Sequence, residues 1–164
     1  MIGKIKKGRS FGGCIRYVTQ KDDAKIIASE GVLLGTAEEM AHSFRWQCLL
    51  NPDVAKPVGR HRAQLQAGGR AEADRRVHGK SGGGYLKLMG IRNTQFIVVR
   101  HHGTDNPHCH IVFNRVDFDG KVISDSNDFR RNERVRKCSR TSIHSPIPKA
   151  NSPLKRKSCT LLKG

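Results

Sequence analysis

The alternation of apolar and polar positions predicts a succession of short strands and helices. The strongest strand candidate covers residues 95–101, where aromatic and β-branched residues are bounded by Asn93-Thr94 and Gly103. A second strand is predicted over residues 108–116, after a short loop that contains Pro107. Two consecutive strands joined in this way favour an antiparallel hairpin at the centre of a sheet.

Weaker signals surround this hairpin. Residues 1–7 predict a basic strand, residues 25–28 predict a short strand, and residues 14–19 fit either a strand or the start of a helix. A helix is predicted after Thr36, which can form a capping box with Glu39 three residues later. The pattern predicts an α+β fold, a central antiparallel sheet with helices mainly on one face.

Two segments lack a regular pattern. Residues 62–84 mix arginine with glycine, although residues 62–66 could alternate as a strand, and residues 85–90 then resemble the end of a helix with Gly90 as its C-cap. From residue 137 the chain is rich in Ser, Pro, Lys and Arg, a composition typical of disorder. We therefore predict one domain over residues 1–136 with a divergent insert at 62–84, and a basic, disordered tail at 137–164.

The charge of the chain narrows the class of partner. The 164 residues carry a formal net charge of +17 at pH 7, which favours a polyanion such as nucleic acid over an anionic membrane. No apolar run approaches the roughly 20 residues of a membrane span, and residues 1–7 lack the apolar stretch of a signal peptide. The five cysteines contain no C-x-x-C pair, so neither a zinc ribbon nor a disulfide framework is indicated. The prediction is a cytoplasmic, nucleic-acid-binding protein with no membrane partner.

Three histidines of the predicted hairpin form a candidate metal site. His108 and His110 project from the same face of their strand, because side chains alternate between faces. On the preceding strand His101 shares a face with apolar residues, whereas His102 shares the more exposed face with Arg100. His101 is therefore the preferred third ligand, and a twist or bulge could substitute His102. Three imidazoles make an open metal site; the alternative is a histidine-rich surface hairpin.

Cleavage of nucleic acid bound beside a metal needs a nucleophile. The chain has two tyrosines that could supply one. Tyr85 lies in a helical stripe with Leu88 and Met89, which predicts a packing role. Tyr17 follows a glycine loop and has basic residues around it. Tyr17 is therefore the candidate nucleophile, with a half-buried structural tyrosine as the alternative.

These residues resemble a known family. His108-Cys109-His110 is a His-hydrophobic-His pair, the signature of the HUH endonucleases. Residues 101–114 resemble the third motif of plasmid and transposon relaxases and are similar to the relaxase/mobilisation nuclease family of Bacteroides-type elements. Residues 1–5 and 12–18 match the first motif of that family, which contains its nucleophilic tyrosine. The resemblance covers residues 1–61 and 85–136.

The resemblance implies roles for individual residues. Tyr17 takes the role of the nucleophile, and His101, His108 and His110 take the metal roles. Gly103 stands where relatives often carry an acid, so the role of that acid falls to Asp105. The cofactor is a divalent metal, with magnesium or manganese favoured and zinc, cobalt or nickel as alternatives. The predicted DNA contacts are Lys4, Lys6, Lys7, Arg9, Arg16, Arg100 and His102.

The implied activity is site- and strand-specific nicking and rejoining of single-stranded DNA at an origin of transfer, for plasmid or transposon mobilisation. Accessory mobilisation proteins are the further implied partners. One alternative is an inactive fragment that only binds DNA, because residues 62–84 and the tail have the composition expected of a frameshifted or decayed copy. Another is a replication-initiator or transposase HUH enzyme. In those enzymes the tyrosine follows the histidines, and because Tyr17 precedes them here, a relaxase is favoured.

Overall fold

The computed structural model describes residues 3–64, 84–101 and 108–141. In chain order the elements are β1 (Gly3–Gly8), α1 (Phe11–Thr19), β2 (Ala24–Glu30), α2 (Ala37–Cys48), β3 (Val58–Gln64), α3 (Gly84–Leu88), β4 (Phe96–His101), β5 (His108–Asn114) and α4 (Asp128–Thr141). Within these ranges, no helix combines the length and the apolar character that crossing a bilayer requires.

The five strands form one sheet in the order β1-β3-β5-β4-β2, and every neighbouring pair is antiparallel. The predicted α+β class and the central hairpin of β4 and β5 are confirmed. In the register of this hairpin His101 lies opposite His108, and Val99 lies opposite His110. Paired residues of an antiparallel sheet present their side chains on the same face, so all three histidines share one face.

Helices α1 and α2 cover the face that carries the histidines. Phe11, Ile15 and Val18 recur at helical spacing along α1 and are fully or almost fully buried. The ring of Phe11 stacks on that of Phe44 from α2, with 4.7 Å between the centroids. This apolar contact fixes α1 against the sheet and so determines where its exposed side chains lie.

Helices α3 and α4 pack on the other face of the sheet. The apolar cluster of this face joins residues of α3 to Phe96, Val98 and Ile111 of the central strands, and Val135 of α4 packs against it. No apolar pattern along the chain indicates α4, which extends to Thr141. The predicted boundary after residue 136 therefore falls inside a helix, and residues 142–164 lie outside the described part of the chain.

Strand β3 extends into the predicted insert. Residues 62–64 continue the strand and pair with β5, and residues 65–83 lie outside the described part of the chain. Gly59 is required in this strand, because a Cβ added there would lie 2.2 Å from the ring of Phe113 on β5. The missing side chain lets that ring lie across the strand.

The predicted helix ends are confirmed. The side chain of Thr36 accepts a hydrogen bond from the backbone N–H of Glu39, and the Glu39 carboxylate accepts one from the backbone N–H of Thr36. Gly90 has a φ of 74°, a left-handed conformation in which glycine is unstrained, as expected for a residue that ends a helix.

A buried polar cluster lies beneath α4, on the face opposite the three histidines. Tyr85 donates a hydrogen bond to Asn132 Oδ1 at 2.9 Å, and its hydroxyl lies 3.3 Å from Nδ1 of His61. Tyr85 is thus a core residue, in agreement with its predicted packing role. Burial, reinforced by the positive charges of Lys7 and Arg131, lowers the pKa of His61 to about 4.

We expect His61 to make the protein less stable as the pH falls from about 6.5 to 4. Its pKa is lower in the folded chain than its ordinary value of 6.5, so the unfolded chain binds the proton first. Stability present above pH 6.5 is lost progressively, by about 3 kcal/mol in all, because each pKa unit corresponds to about 1.4 kcal/mol. Urea unfolding at several pH values should give a flatter profile for His61→Gln, and identical profiles would refute the assignment.

Candidate metal and nucleophile site

His101, His108 and His110 form a buried cluster where β4 ends and β5 begins. Their ring centroids are 4.9 to 5.0 Å apart, and one ligand nitrogen from each lies within 4.8 Å of the others. The strand pairing produces this geometry, because His101 is paired with His108 and His110 lies two residues further on the same face. The structure therefore brings together the three histidines that alternation selected.

The orientation of His101 is fixed by α1. Its Nε2 lies 2.8 Å from the backbone carbonyl oxygen of Val18, so Nε2 carries the proton and donates it to this oxygen. Its Nδ1 is buried and has no hydrogen-bond partner within the described residues, and in the neutral ring this atom offers a lone pair. A backbone carbonyl that holds one ring nitrogen is the usual support of a metal-binding histidine.

The electrostatics keep His110 neutral. Burial lowers its pKa to about 3, with contributions from His101, His108 and the guanidinium groups of Arg60 and Arg62. A metal ligand must be deprotonated, and His110 meets this condition at neutral pH. Its Nδ1 is also buried without a hydrogen-bond partner among the described residues. The clustering of the three rings and the buried Nδ1 atoms of His101 and His110 therefore fit a divalent metal, to which these atoms could donate lone pairs.

Tyr17 lies beside this cluster, on the last turns of α1. The residue is 56% exposed. The ring meets that of His110 edge to face, with 5.9 Å between centroids. The guanidinium carbon of Arg60 lies over the ring face, 4.6 Å from its centroid. Helix α1 thus places the candidate nucleophile next to the candidate metal ligands.

A row of basic residues leads from the histidines to the edge of the sheet. Lys4 of β1 is paired with Arg62 of β3, and Arg62 is paired with His110 of β5. Lys6 and Arg60 form a second cross-strand pair on the same face. These four cations, which we call the basic stripe, offer phosphate contacts on the side of the sheet that carries the histidines.

Lys7 and Arg100 point the other way. Alternation along β1 places Lys7 on the face of α4, where its ammonium forms ion pairs with Asp125 and Asp128. Alternation along β4 places Arg100 opposite Cys109, on the face away from the histidines. These two residues, although predicted as DNA contacts, are therefore separated from the candidate site by the sheet.

The other predicted residues divide into two groups. Arg9 and Arg16 are exposed at the start and on the surface of α1, close to Tyr17 in sequence. Arg16 lies 3.8 Å from Glu38 of α2, a distance at which an exposed ion pair contributes little. His102 and Asp105 lie outside the described residues.

A family model described as relaxase, MobA/VirD2-like, nuclease domain matches residues 17–140. The chain belongs to this relaxase family. The match contains the whole histidine cluster and begins at Tyr17, and membership decides against a replication initiator or a transposase. No significant match to a curated protein or to a solved structure was found. A relaxase nuclease domain binds and nicks DNA for mobilisation and uses a divalent metal, which the cluster could hold.

Sequence reasoning missed Arg60 and Arg62 of the relaxase. Arg62 falls within the irregular segment 62–84 and Arg60 precedes it, yet both lie in β3 and alternate with Gly59, His61 and Ala63, which face the other side of the sheet. The signal that could have identified them is the two-residue period at which the arginines recur along the strand. It was hidden because polar residues occur on both faces of the strand, so apolar alternation could not show it.

Proposed function

We propose that this relaxase nicks and rejoins one DNA strand at an origin of transfer, with Tyr17 as the nucleophile. The observation that carries the proposal is the contact between the Tyr17 ring and His110 of the histidine cluster. An exposed tyrosine beside three buried imidazoles combines an attacking oxygen with a metal site. Family membership supports the same pairing of chemistry and substrate.

The reaction is a transesterification. The Tyr17 oxygen attacks a phosphorus atom of the DNA backbone, and its proton passes to solvent. The bond from phosphorus to O3′ breaks, and O3′ keeps the electron pair and takes a proton from solvent. The products are a 5′-phosphotyrosyl bond and a free 3′-OH. One phosphate ester replaces another, so the 3′-OH can reverse the step and rejoin the strand.

The metal would be held by His101, His108 and His110, as neutral imidazoles. When bound, it supplies a positive charge that polarises a non-bridging phosphate oxygen and stabilises the transition state. The chain's own contribution is orientation: the Val18 carbonyl fixes the ring of His101, and the pairing of β4 with β5 fixes the spacing of all three. These contacts prearrange the ligands before DNA binds.

The DNA backbone would lie along the basic stripe. Lys4, Lys6, Arg60 and Arg62 share the face of the histidines, so a strand bound there passes the Tyr17 hydroxyl. Arg9 and Arg16 add cations on the α1 side. Contacts of this kind hold phosphates without reading bases, so affinity should fall steeply as salt rises.

Covalent capture of DNA tests the proposal. The chain is incubated with manganese and a library of single-stranded oligonucleotides that carry a random central region, and the mixture is separated on a denaturing gel. We expect a protein–DNA adduct that survives denaturation, and sequencing of the attached DNA should give one enriched cleavage site. Binding that is sensitive to salt but never yields an adduct would refute nicking and support a relaxase that only binds DNA.

A further inference from the structure

We propose that Arg60 is the positioning residue that holds the ring of Tyr17 for attack. This inference rests on the proposed function, because it deepens the role of Tyr17. Its basis is the placement of the guanidinium over the face of the ring, 4.6 Å from the centroid. This distance lies within the range of cation–π contacts, and arginine is the cation that most often makes them.

Tyr17 needs such a support because of where it stands. Its side chain leaves α1 on the exposed side, away from Phe11, Ile15 and Val18, which anchor the helix. An exposed aromatic side chain samples several rotamers, and only some of them bring the hydroxyl to the histidine cluster. A contact on the ring face restricts this sampling without covering the hydroxyl.

Arg60 is built to provide that contact. It lies inside β3, with Lys6 of β1 paired on one side and Val112 of β5 on the other. Because β3 is paired with a strand on each side, the backbone from which the Arg60 side chain extends is held in place. The residue itself is half-buried. The Tyr17 ring therefore lies between a cation from β3 on its face and the His110 ring from β5.

A guanidinium that contacts the ring through its flat face can also bind a phosphate. A planar guanidinium that stacks through its face still presents N–H groups along its edges, and these can donate in pairs to a phosphate. Arg60 can thus hold the ring and a neighbouring phosphate in one arrangement. Lysine carries the same charge but lacks the plane, so it can replace the charge of Arg60 but not the stacking.

NMR spectroscopy of the tyrosine rings tests the contact independently of activity. The relaxase contains two tyrosines, so 13C labelling of tyrosine rings gives two sets of signals, with buried Tyr85 as internal reference. We expect Arg60→Lys and Arg60→Gln to shift and narrow the Tyr17 signals and leave those of Tyr85 in place. Lys25→Gln, which removes a charge from an exposed site on the other face, should change neither. Unchanged Tyr17 signals in both Arg60 variants would overturn the proposal.

A reciprocal measurement covers the case in which an Arg60 variant unfolds and moves both tyrosines. The Tyr17 ring should shift the side-chain protons of Arg60 upfield in the unmutated chain. Tyr17→Phe keeps the ring and should retain this shift, whereas Tyr17→Leu should abolish it. Arg60 protons that are insensitive to Tyr17→Leu would contradict the stacking.

The rate of adduct formation then tests positioning. At saturating amounts of the captured DNA sequence, we expect Arg60→Gln and Arg60→Lys to slow the adduct by about 10- to 100-fold, a loss typical of misplaced reacting groups. Arg60→Lys should bind DNA almost as well as the unmutated chain, so the defect lies in the rate and not in affinity. Equal rates for arginine and lysine would refute positioning. An unmutated chain that forms no adduct yet shows the ring contact would refute the proposed function alone.

Discussion

Replacing Tyr17 with phenylalanine should abolish the covalent adduct, with a loss of at least about 1,000-fold, because the variant lacks the attacking oxygen. The phenyl ring keeps its contacts with Arg60 and His110, so the local structure should persist. DNA affinity should change little, since binding depends on phosphate contacts from the basic stripe. A denaturing gel measures the adduct, and a filter-binding titration measures the affinity.

Tyr85→Phe is the matched control for this experiment. It removes a hydroxyl that donates to Asn132 in the core, on the face away from the histidines. We expect it to lower the free energy of unfolding by about 1 kcal/mol, as the loss of one buried hydrogen bond does, and to leave adduct formation intact. If Tyr17→Phe still formed the adduct while Tyr85→Phe did not, the assignment of the nucleophile would be wrong.

The second large effect concerns the metal. His108→Ala combined with His110→Ala should abolish binding of manganese or nickel, because a single imidazole, that of His101, remains of the three. Calorimetric titration of the folded variant measures the loss, which we expect to exceed about 100-fold in affinity, more than supporting residues around a metal contribute. Circular dichroism establishes that the sheet survives.

The control for this variant is His42→Ala. His42 is an exposed histidine of α2, and its removal should leave metal affinity unchanged. Metal binding that persists in the double variant, or that falls equally with His42→Ala, would place the metal elsewhere in the chain.

Much of the candidate site could be predicted because strand geometry is simple. Side chains alternate between faces, so the apolar neighbours of His101 already placed it on the buried face with His108 and His110. The capping box of α2 was equally visible, since Thr36 and Glu39 carry complementary groups three residues apart.

The elements that were missed bury polar side chains. Helix α4 turns Asp128, Asn132 and Val135 toward the sheet. Within residues 128–135, the part of the helix whose side chains the structure describes, two of the three buried positions are therefore polar, and no apolar period marks it. The opposite directions of Lys6 and Lys7 were also hidden, because a strand with basic residues on both faces does not show which face meets the site.

The shared helix of Tyr17 and Val18 has a consequence for how the relaxase responds to local unfolding. α1 is nine residues long, and short surface helices open more readily than central strands. Because the two residues are consecutive, fraying of the last turn withdraws the hydroxyl and releases the ring of His101 in the same event. A DNA strand that binds only when the last turn of α1 is folded would increase the fraction of molecules with that turn folded. The backbone amides of α1 would then exchange their hydrogens more slowly.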